Sequence, residues 1–232
     1  ISNKKKIPKK YLKKLQVSLK KKQVVILKNI LDPLKLKEIK NKTFEFGKKN
    51  KPNKKMSNFA FIKKSLHRID DEHPQMRVKC VNHVFRPSRN DKNFKSFFEI
   101  TDQIDEIRNS LLKIKKKEYR KSNNGKGYIS RPTIKHYPIG GGYMSKHTDK
   151  VLGKHSIQVI TPLSEKFKDY KSGGLKVKIK KNWHDIDAKL SLGSIVLHRP
   201  DLEHKVDKVN RSKKTLWGSI SGKWSLISNL DI

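Results

Sequence analysis

Cysteine is almost absent from this sequence, and the single residue, Cys80, has no partner for an internal disulfide. A chain without disulfides is typical of a reducing compartment, so we expect a cytoplasmic protein. Long apolar runs are also missing, and none approaches the roughly 20 residues that a membrane-spanning helix needs. The N-terminal residues ISNKKKIPKKYLKKLQ are basic but are not followed by the apolar stretch of a signal peptide. These absences predict a protein without a membrane span.

Acidic residues are scarce, with 21 Asp and Glu against 57 Lys and Arg, and the formal net charge is +36. Such a charge indicates either a polyanionic partner, such as nucleic acid, or codon usage that fills solvent-exposed faces with lysine. Only nine of the basic residues are arginine, the side chain that nucleic-acid readers favour for bidentate contacts. The lysines are spread along the whole chain. We therefore favour codon usage, and nucleic-acid binding stays open as the alternative.

Residues 1–127 predict a region of helices and short strands that supports the rest of the protein. Residues 23–30 are rich in β-branched side chains and predict a strand. Asp32 followed by Pro33 is typical of a helix start, with aspartate as the N-cap and proline in the first turn. We expect this helix to continue to about Phe46.

A second, longer helix is predicted over residues 92–117, with Asp91 as its cap. Its apolar side chains recur at helical spacing. They are Phe94, Phe97, Phe98, Ile104, Ile107, Leu111 and Leu112. This stripe indicates a helix packed on the face of a sheet. Residues 81–85 predict a further strand.

From residue 128 to residue 232 the pattern changes to short β-type runs separated by turns. The runs are SRPTIKHY, HSIQVITPL, LKVKIKK, GSIVLH, KTLWGSI and KWSLIS. Many short strands with glycine-containing turns are typical of an all-β sandwich or barrel. We expect this β-rich core to carry the chemistry and to form one structural domain with residues 1–127.

His147-Thr148-Asp149 is the only H-x-D or H-x-E motif in the chain. Residues two apart in a strand point to the same face, so His147 and Asp149 can occupy adjacent positions on one metal ion. Two histidines and one carboxylate on one face of an octahedral ion are typical of non-haem Fe(II) oxygenases. The downstream candidates for the third ligand are His155, His184, His198 and His204. His204 is favoured because it follows a predicted strand and a polar turn, and His198 is the second choice.

The string Y-P-x-G-G-G-Y-x-x-x-H-x-D, which begins at Tyr137, resembles the 2-oxoglutarate- and Fe(II)-dependent dioxygenases, specifically their prolyl-4-hydroxylase-like branch. The elements that match downstream are Gly173-Gly174-Leu175, the strand 193–197 and His204-Lys205-Val206. Ser194 and Leu197 depart from the G-D-x-V-x-F strand of that family, although neither is a ligand. The resemblance covers roughly residues 128–232.

This resemblance implies a mainly β, α+β fold: a double-stranded β-helix, or cupin-like jelly roll, flanked by N-terminal helices. It implies an oxidoreductase that uses Fe(II), 2-oxoglutarate and O2. The iron ligands, which would also be the catalytic residues, are expected to be His147, Asp149 and His204.

The resemblance also implies a basic residue that binds the far carboxylate of 2-oxoglutarate, which would otherwise be buried without a partner. Lys223 is the first candidate, because WGSISGKWSLIS resembles the W-x5-R-W pattern of some bacterial members with a longer loop. Arg211 is the second candidate and Lys214 the third. Tyr137 is expected to donate its hydroxyl to the same carboxylate.

The expected reaction is hydroxylation of a C–H bond in a small metabolite or a peptidyl residue. One alternative is a nucleic-acid-modifying dioxygenase that uses the basic surface and stacks a flipped base on aromatic rings. The aromatic candidates are Phe59, Phe61, Phe85 and Tyr128. The other alternative is a non-catalytic, basic jelly-roll binding module. Candidate substrate-facing residues are Arg131, Asn82, His155 and Gln158.

Overall fold

The computed structural model describes residues 7–53, 61–73, 77–149 and 157–231. The helices within these residues are α1 (Lys9–Lys20), α2 (Pro33–Lys49) and α3 (Lys95–Leu112). The strands are β1 (Val25–Leu27), β2 (Leu66–Asp71), β3 (Cys80–Arg86), β4 (Ile129–Pro138), β5 (Tyr143–His147), β6 (Gln158–Pro162), β7 (Gly174–Ile179), β8 (Asn182–Asp185), β9 (Ile195–His198), β10 (His204–Asp207) and β11 (Gly222–Asp231). Within these ranges, no helix has the length and apolar character needed to cross a membrane.

The strands form one antiparallel sheet in the order β1-β9-β6-β11-β4-β3-β5-β10-β7-β8, with β2 paired to β3. The sheet curls, so that side chains of β4, β6 and β11 share one cavity with side chains of β5, β7 and β10. This curled half-barrel confirms the predicted jelly-roll class. Three of the strands, β1, β2 and β3, come from before residue 128, and β3 lies between β4 and β5.

The two faces of β4 and β11 have different surroundings, as the alternation of side chains along a strand requires. Ile134 of β4 and Trp224 and Leu226 of β11 are buried in the core that also contains the apolar face of α3. Tyr137 of β4 and Lys223 of β11 line the cavity inside the curl. The helices therefore cover the outer face of the sheet and leave the inner face to the site.

The helix predicted at Asp32 and Pro33 is present as α2. The Asp32 carboxylate accepts a hydrogen bond from the backbone N–H of Leu34 at 2.8 Å, so it satisfies one of the unpaired donors of the first turn. The helix ends at Lys49, slightly beyond the predicted end at Phe46. The predicted N-cap and proline signal thus marks the correct start.

The long helix predicted over 92–117 is shorter in the structure, where α3 covers Lys95–Leu112. A 3-10 turn over Lys92–Phe94 precedes it, and the Asp91 carboxylate accepts from Asn93 N–H at 3.1 Å. The helix ends because Lys113 adopts a left-handed conformation with φ +58°. The apolar stripe is buried against the sheet, as predicted.

One local prediction about a strand is wrong, and one strand was not predicted. The run KTLWGSI over 214–220 forms no strand, because Ser219 N–H turns back to Leu216 O at 3.1 Å. The sequence also gave no sign of β2, whose residues LHRIDD are largely polar and charged. Pairing with β3 provides the backbone partners for β2, from Leu66 opposite Arg86 to Asp71 opposite Val81.

Candidate metal centre and its cavity

His147 ends β5 and His204 begins β10, and the two residues are paired in the antiparallel register of these strands. Asp149 follows β5, where its backbone N–H donates to Pro200 O at 2.9 Å. His147 Nε2 lies 3.8 Å from Asp149 Oδ1, and His204 Nε2 lies 3.5 Å from Asp149 Oδ2. One ligand atom from each side chain lies within 4.8 Å of the others. The structure therefore brings together the three residues predicted as metal ligands.

A backbone carbonyl orients each histidine ring. His147 Nδ1 lies 2.8 Å from Ser145 O, and His204 Nδ1 lies 2.9 Å from Leu202 O. Because a carbonyl oxygen only accepts, each Nδ1 carries the hydrogen and each Nε2 keeps its lone pair. Burial lowers the pKa of both His147 and His204, so both rings are neutral near pH 7. This is the form in which imidazole binds a metal ion.

The spacing of the three side chains is compatible with one small ion. Two ligand atoms at right angles, each about 2.1 Å from an ion, are about 3 Å apart. The distances from Asp149 to the two histidines are slightly longer than this. The Asp149 side chain is 38% exposed, so it can move the short distance that would close the set. Two imidazole nitrogens and one carboxylate suit Fe(II), with the opposite positions left for other ligands.

The other histidine candidates lie outside this group. His198, the second choice, ends β9 with its ring centroid 5.3 Å from that of His204. Its Nδ1–H donates to Arg199 O at 2.8 Å, and its Nε2 has no hydrogen-bond partner among the residues described. His184 lies on β8, away from the cluster. His155 falls outside the described residues.

The cavity beside the three candidate ligands has a volume of about 80 Å³. Its apolar lining is formed by Met144, Ile160, Leu175, Val206 and Ile227. Its polar lining, apart from the three ligands, is formed by Thr133, Lys135, Tyr137, Gln158, Lys223, Ser225 and Asn229. An apolar wall with a few polar groups is typical of a site for a small polar molecule.

Lys223 and Tyr137, the predicted carboxylate anchors, face each other in the β4–β11 register and both line the cavity. Lys223 Nζ also lies 2.9 Å from Oδ1 and 2.8 Å from Oδ2 of Asp187. Asp187 Oδ2 accepts two more hydrogen bonds, from Tyr170 Oη at 2.5 Å and from Leu175 N–H at 2.7 Å. The Lys223 and Asp187 side chains are only 4% and 3% exposed. The charge of Lys223 is thus already compensated by a buried carboxylate.

Lys135 is a cavity residue that the sequence interpretation missed. It lies two residues before Tyr137 on β4, on the same face, and pairs with Ser225 of β11. Its Nζ lies 3.9 Å from Met144 Sδ, and no carboxylate forms an ion pair with it among the residues described. Burial lowers the pKa of Lys135, and nearby groups that include Asp149 oppose this shift. The two-residue spacing from Tyr137, which places both side chains on one face of β4, could have identified it.

Arg211 and Lys214, the other anchor candidates, are exposed and do not line the cavity. Both lie between β10 and β11, in a loop that contacts the glycine turn before β5. Gly140 N–H donates to Val209 O at 3.1 Å, and Gly140 has a φ of +93°. A Cβ at this glycine would lie 2.1 Å from Lys214 O, so only glycine is accommodated here.

The expected substrate-facing residues have separate positions. Gln158 lines the cavity, and its Oε1 has no partner within the described part of the chain. Arg131 forms an ion pair with Asp231 of β11. Asn82 is fully buried on β3 and does not line the cavity. Of the candidates that the structure describes, Gln158 is the one that lines the cavity together with the three candidate ligands.

Solved structures share this fold over nearly the whole chain. A prolyl-4-hydroxylase from Pseudomonas putida has a TM-score of 0.59 at 12% identity, covering 94% of this chain and 97% of the other. A Trichoplax adhaerens prolyl hydroxylase, in complex with a peptide fragment of hypoxia inducible factor, has a TM-score of 0.58 at 10% identity, covering 95% and 89%. A 2OG-Fe(II) oxygenase family oxidoreductase from Burkholderia pseudomallei has a TM-score of 0.53 at 10% identity, also covering 95% and 89%.

No family model and no curated protein matches the sequence. At identities of 10–12%, the solved structures establish the fold alone. The chain therefore has the fold of the prolyl hydroxylases and 2OG-Fe(II) oxygenases that its sequence resembles.

Proposed function

We propose that this protein is an Fe(II)- and 2-oxoglutarate-dependent dioxygenase that hydroxylates a C–H bond of a small metabolite or a peptidyl residue. The observation that carries the proposal is the convergence of His147, Asp149 and His204 at one wall of the cavity. The shared fold supports it, and the single buried cysteine agrees with a reducing, cytoplasmic location.

The roles of the residues follow from their positions. His147 and His204 would hold the metal through Nε2, while their Nδ1–H bonds to backbone carbonyls keep both rings oriented. Asp149 would supply the carboxylate ligand and one compensating negative charge. Bound Fe(II) and 2-oxoglutarate would supply the oxidising power by activating O2.

The remaining cavity residues would position the co-substrate and keep the site dry. The far carboxylate of 2-oxoglutarate would lie at the end where Tyr137 and Lys223 face each other across β4 and β11. The Tyr137 hydroxyl keeps its proton for donation, because burial raises the pKa of Tyr137 well above its usual value. The apolar lining would exclude bulk water from the reacting atoms.

An anaerobic titration tests the proposal. Addition of Fe(II) followed by 2-oxoglutarate is expected to produce the weak visible absorption band of a metal-chelated 2-oxo acid. His147→Ala is expected to abolish the band, whereas His184→Ala, a histidine outside the cluster, is expected to retain it. Metal binding without a band would indicate a different kind of metal site. Absence of metal binding would favour a binding module.

A second assay tests the substrate class. The Trichoplax adhaerens relative holds a peptide, and the cavity of this protein presents Gln158, Asn229 and Thr133 as polar groups. We propose a small polar metabolite or a peptide side chain as the substrate. Succinate formation from 2-oxoglutarate is measured in the presence of amino acids or of short peptides. It is expected to rise with the class of compound that contains the substrate.

Nucleic-acid modification is the weaker alternative. Phe85, one of the rings considered for base stacking, is stacked on His67 and Trp224 in the core. Tyr128 packs on Tyr119. Neither Phe85 nor Tyr128 lines the metal cavity. Phe61 likewise does not line this cavity, and Phe59 falls outside the described residues. A flipped base would thus lack these aromatic partners beside the ligands.

A further inference from the structure

Among the residues that the structure describes, two lysines line the cavity, and they differ in whether a carboxylate pairs with them. Lys223 Nζ contacts both oxygens of Asp187, and that carboxylate is held in place by Tyr170 and Leu175. The pair is buried and has no net charge, so its attraction for a further anion is that of a dipole. Lys135 contacts no carboxylate among the described residues, so a positive charge on its ammonium has no ion-pair partner there.

The surroundings of Lys135 indicate a missing acceptor. Lys135 Nζ and Tyr137 Oη each lie 3.9 Å from the same atom, Met144 Sδ. A thioether sulfur is a weak acceptor, so two strong donors converge where the described part of the chain offers no good acceptor. Ser225, opposite Lys135 in the register, has a hydroxyl without a partner in the described ranges and is 2% exposed. Buried donors of this kind are normally satisfied, so the arrangement indicates an anionic ligand.

Lys135 is also close enough to act on the metal ligands. Its side chain lines the same cavity as His147, Asp149 and His204. The Asp149 carboxylate opposes the effect of burial on the pKa of Lys135. An anion held by Lys135 therefore lies within electrostatic reach of an ion bound at the three ligands.

We propose that Lys135, together with Tyr137 and Ser225, binds the far carboxylate of 2-oxoglutarate and supplies the charge that Lys223 cannot. This inference rests on the proposed function. The charges of the loaded site support it: Fe(II) carries two positive charges, 2-oxoglutarate two negative and Asp149 one negative. A protonated Lys135 brings the sum to zero, whereas the Lys223–Asp187 pair adds nothing. Lys223 then donates at most its remaining N–H to the ligand, and its main role is to hold Asp187 in place.

The test compares binding of two 2-oxo acids without turnover. Calorimetry under anaerobic conditions, with Mn(II) bound, measures the affinity for 2-oxoglutarate and for 2-oxobutyrate, which lacks the far carboxylate. Lys135→Met is expected to weaken 2-oxoglutarate binding at least about 30-fold. Its affinities for Mn(II) and for 2-oxobutyrate are expected to stay within a few-fold. Lys189→Met, at an exposed lysine, is the matched control.

A second comparison separates the two lysines. The double variant Lys223→Met/Asp187→Asn removes the compensated pair and is expected to weaken 2-oxoglutarate binding less than Lys135→Met does. Lys135→Gln provides a second neutral variant if the methionine variant fails to fold. Unchanged 2-oxoglutarate affinity in the folded Lys135 variant would overturn the inference and leave the proposed function standing. Wild-type protein that binds Mn(II) but not 2-oxoglutarate would instead overturn the proposed function.

Discussion

Lys223→Met is expected to destabilise the fold, because it leaves Asp187 as a buried carboxylate without its cation. Breaking a buried ion pair by removing one partner costs about 3–5 kcal/mol. Tyr170 and Leu175 still donate to Asp187 in the variant, so the lower end of that range applies. For a chain of this size, about 3 kcal/mol corresponds to a Tm that is lower by about 10 °C. Unfolding in urea, followed by tryptophan fluorescence, measures the change.

The double variant Lys223→Met/Asp187→Asn provides the internal comparison. It is expected to recover most of the loss, because a neutral amide can accept the same hydrogen bonds without an unpaired charge. Lys48→Met removes the exposed partner of Glu45, 3.1 Å away, and is expected to change stability by less than about 1 kcal/mol. The reasoning is refuted if Lys223→Met matches the wild type, or if the double variant is no more stable than the single one.

Three further predictions concern the metal, the turn and the pH dependence. Asp149→Ala is expected to weaken Fe(II) binding more than about 100-fold in an anaerobic titration, since even outer-shell losses cost about 10- to 100-fold; unchanged binding would refute its role. Gly140→Ala is expected to cost at least about 2 kcal/mol in thermal unfolding, because its φ is +93° and its Cβ would meet Lys214 O at 2.1 Å. Gly218→Ala, where a Cβ meets no atom within 4 Å, is the control. Burial lowers the pKa of His83 to about 4, so below pH 6.5 the unfolded chain binds a proton that the folded ring does not. About 3 kcal/mol of folding stability is therefore present above pH 6.5 and is lost as the pH falls towards 4. Urea midpoints are expected to decline over that range and to decline less in His83→Asn; a flat profile in the wild type would contradict this.

The parts of the fold that were predictable from the sequence have local causes. The cap at Asp32 acts within one helical turn, and His147 and Asp149 are two residues apart on one strand end. These patterns depend on short-range geometry, so they can be recognised without knowledge of the tertiary fold. The choice of His204 over His198 used the same kind of argument, since it depended on a strand followed by a turn.

The parts of the site that were missed depend on how the sheet curls. Asp187 lies in a short 3-10 helix over Asp187–Lys189, and it meets Lys223 only because β7 and β11 face each other across the cavity. The sequence around Asp187 contains no motif that indicates this partner. Lys135 was predictable in principle, because it lies two residues before Tyr137 and therefore points to the same face of β4. It was overlooked because lysines are frequent along the whole chain.

The long sequence separation between paired strands has a consequence for how the protein folds. Many paired residues of the sheet are distant in sequence: Val25 pairs with Leu197, and Gly222 pairs with Pro138. Loop closure must be achieved before such contacts contribute, so sheets of this kind fold slowly. His147 and His204 come together only through the β5–β10 pairing. The three candidate ligands therefore assemble late, and their cluster cannot form in a nascent chain that has not yet emerged beyond residue 204.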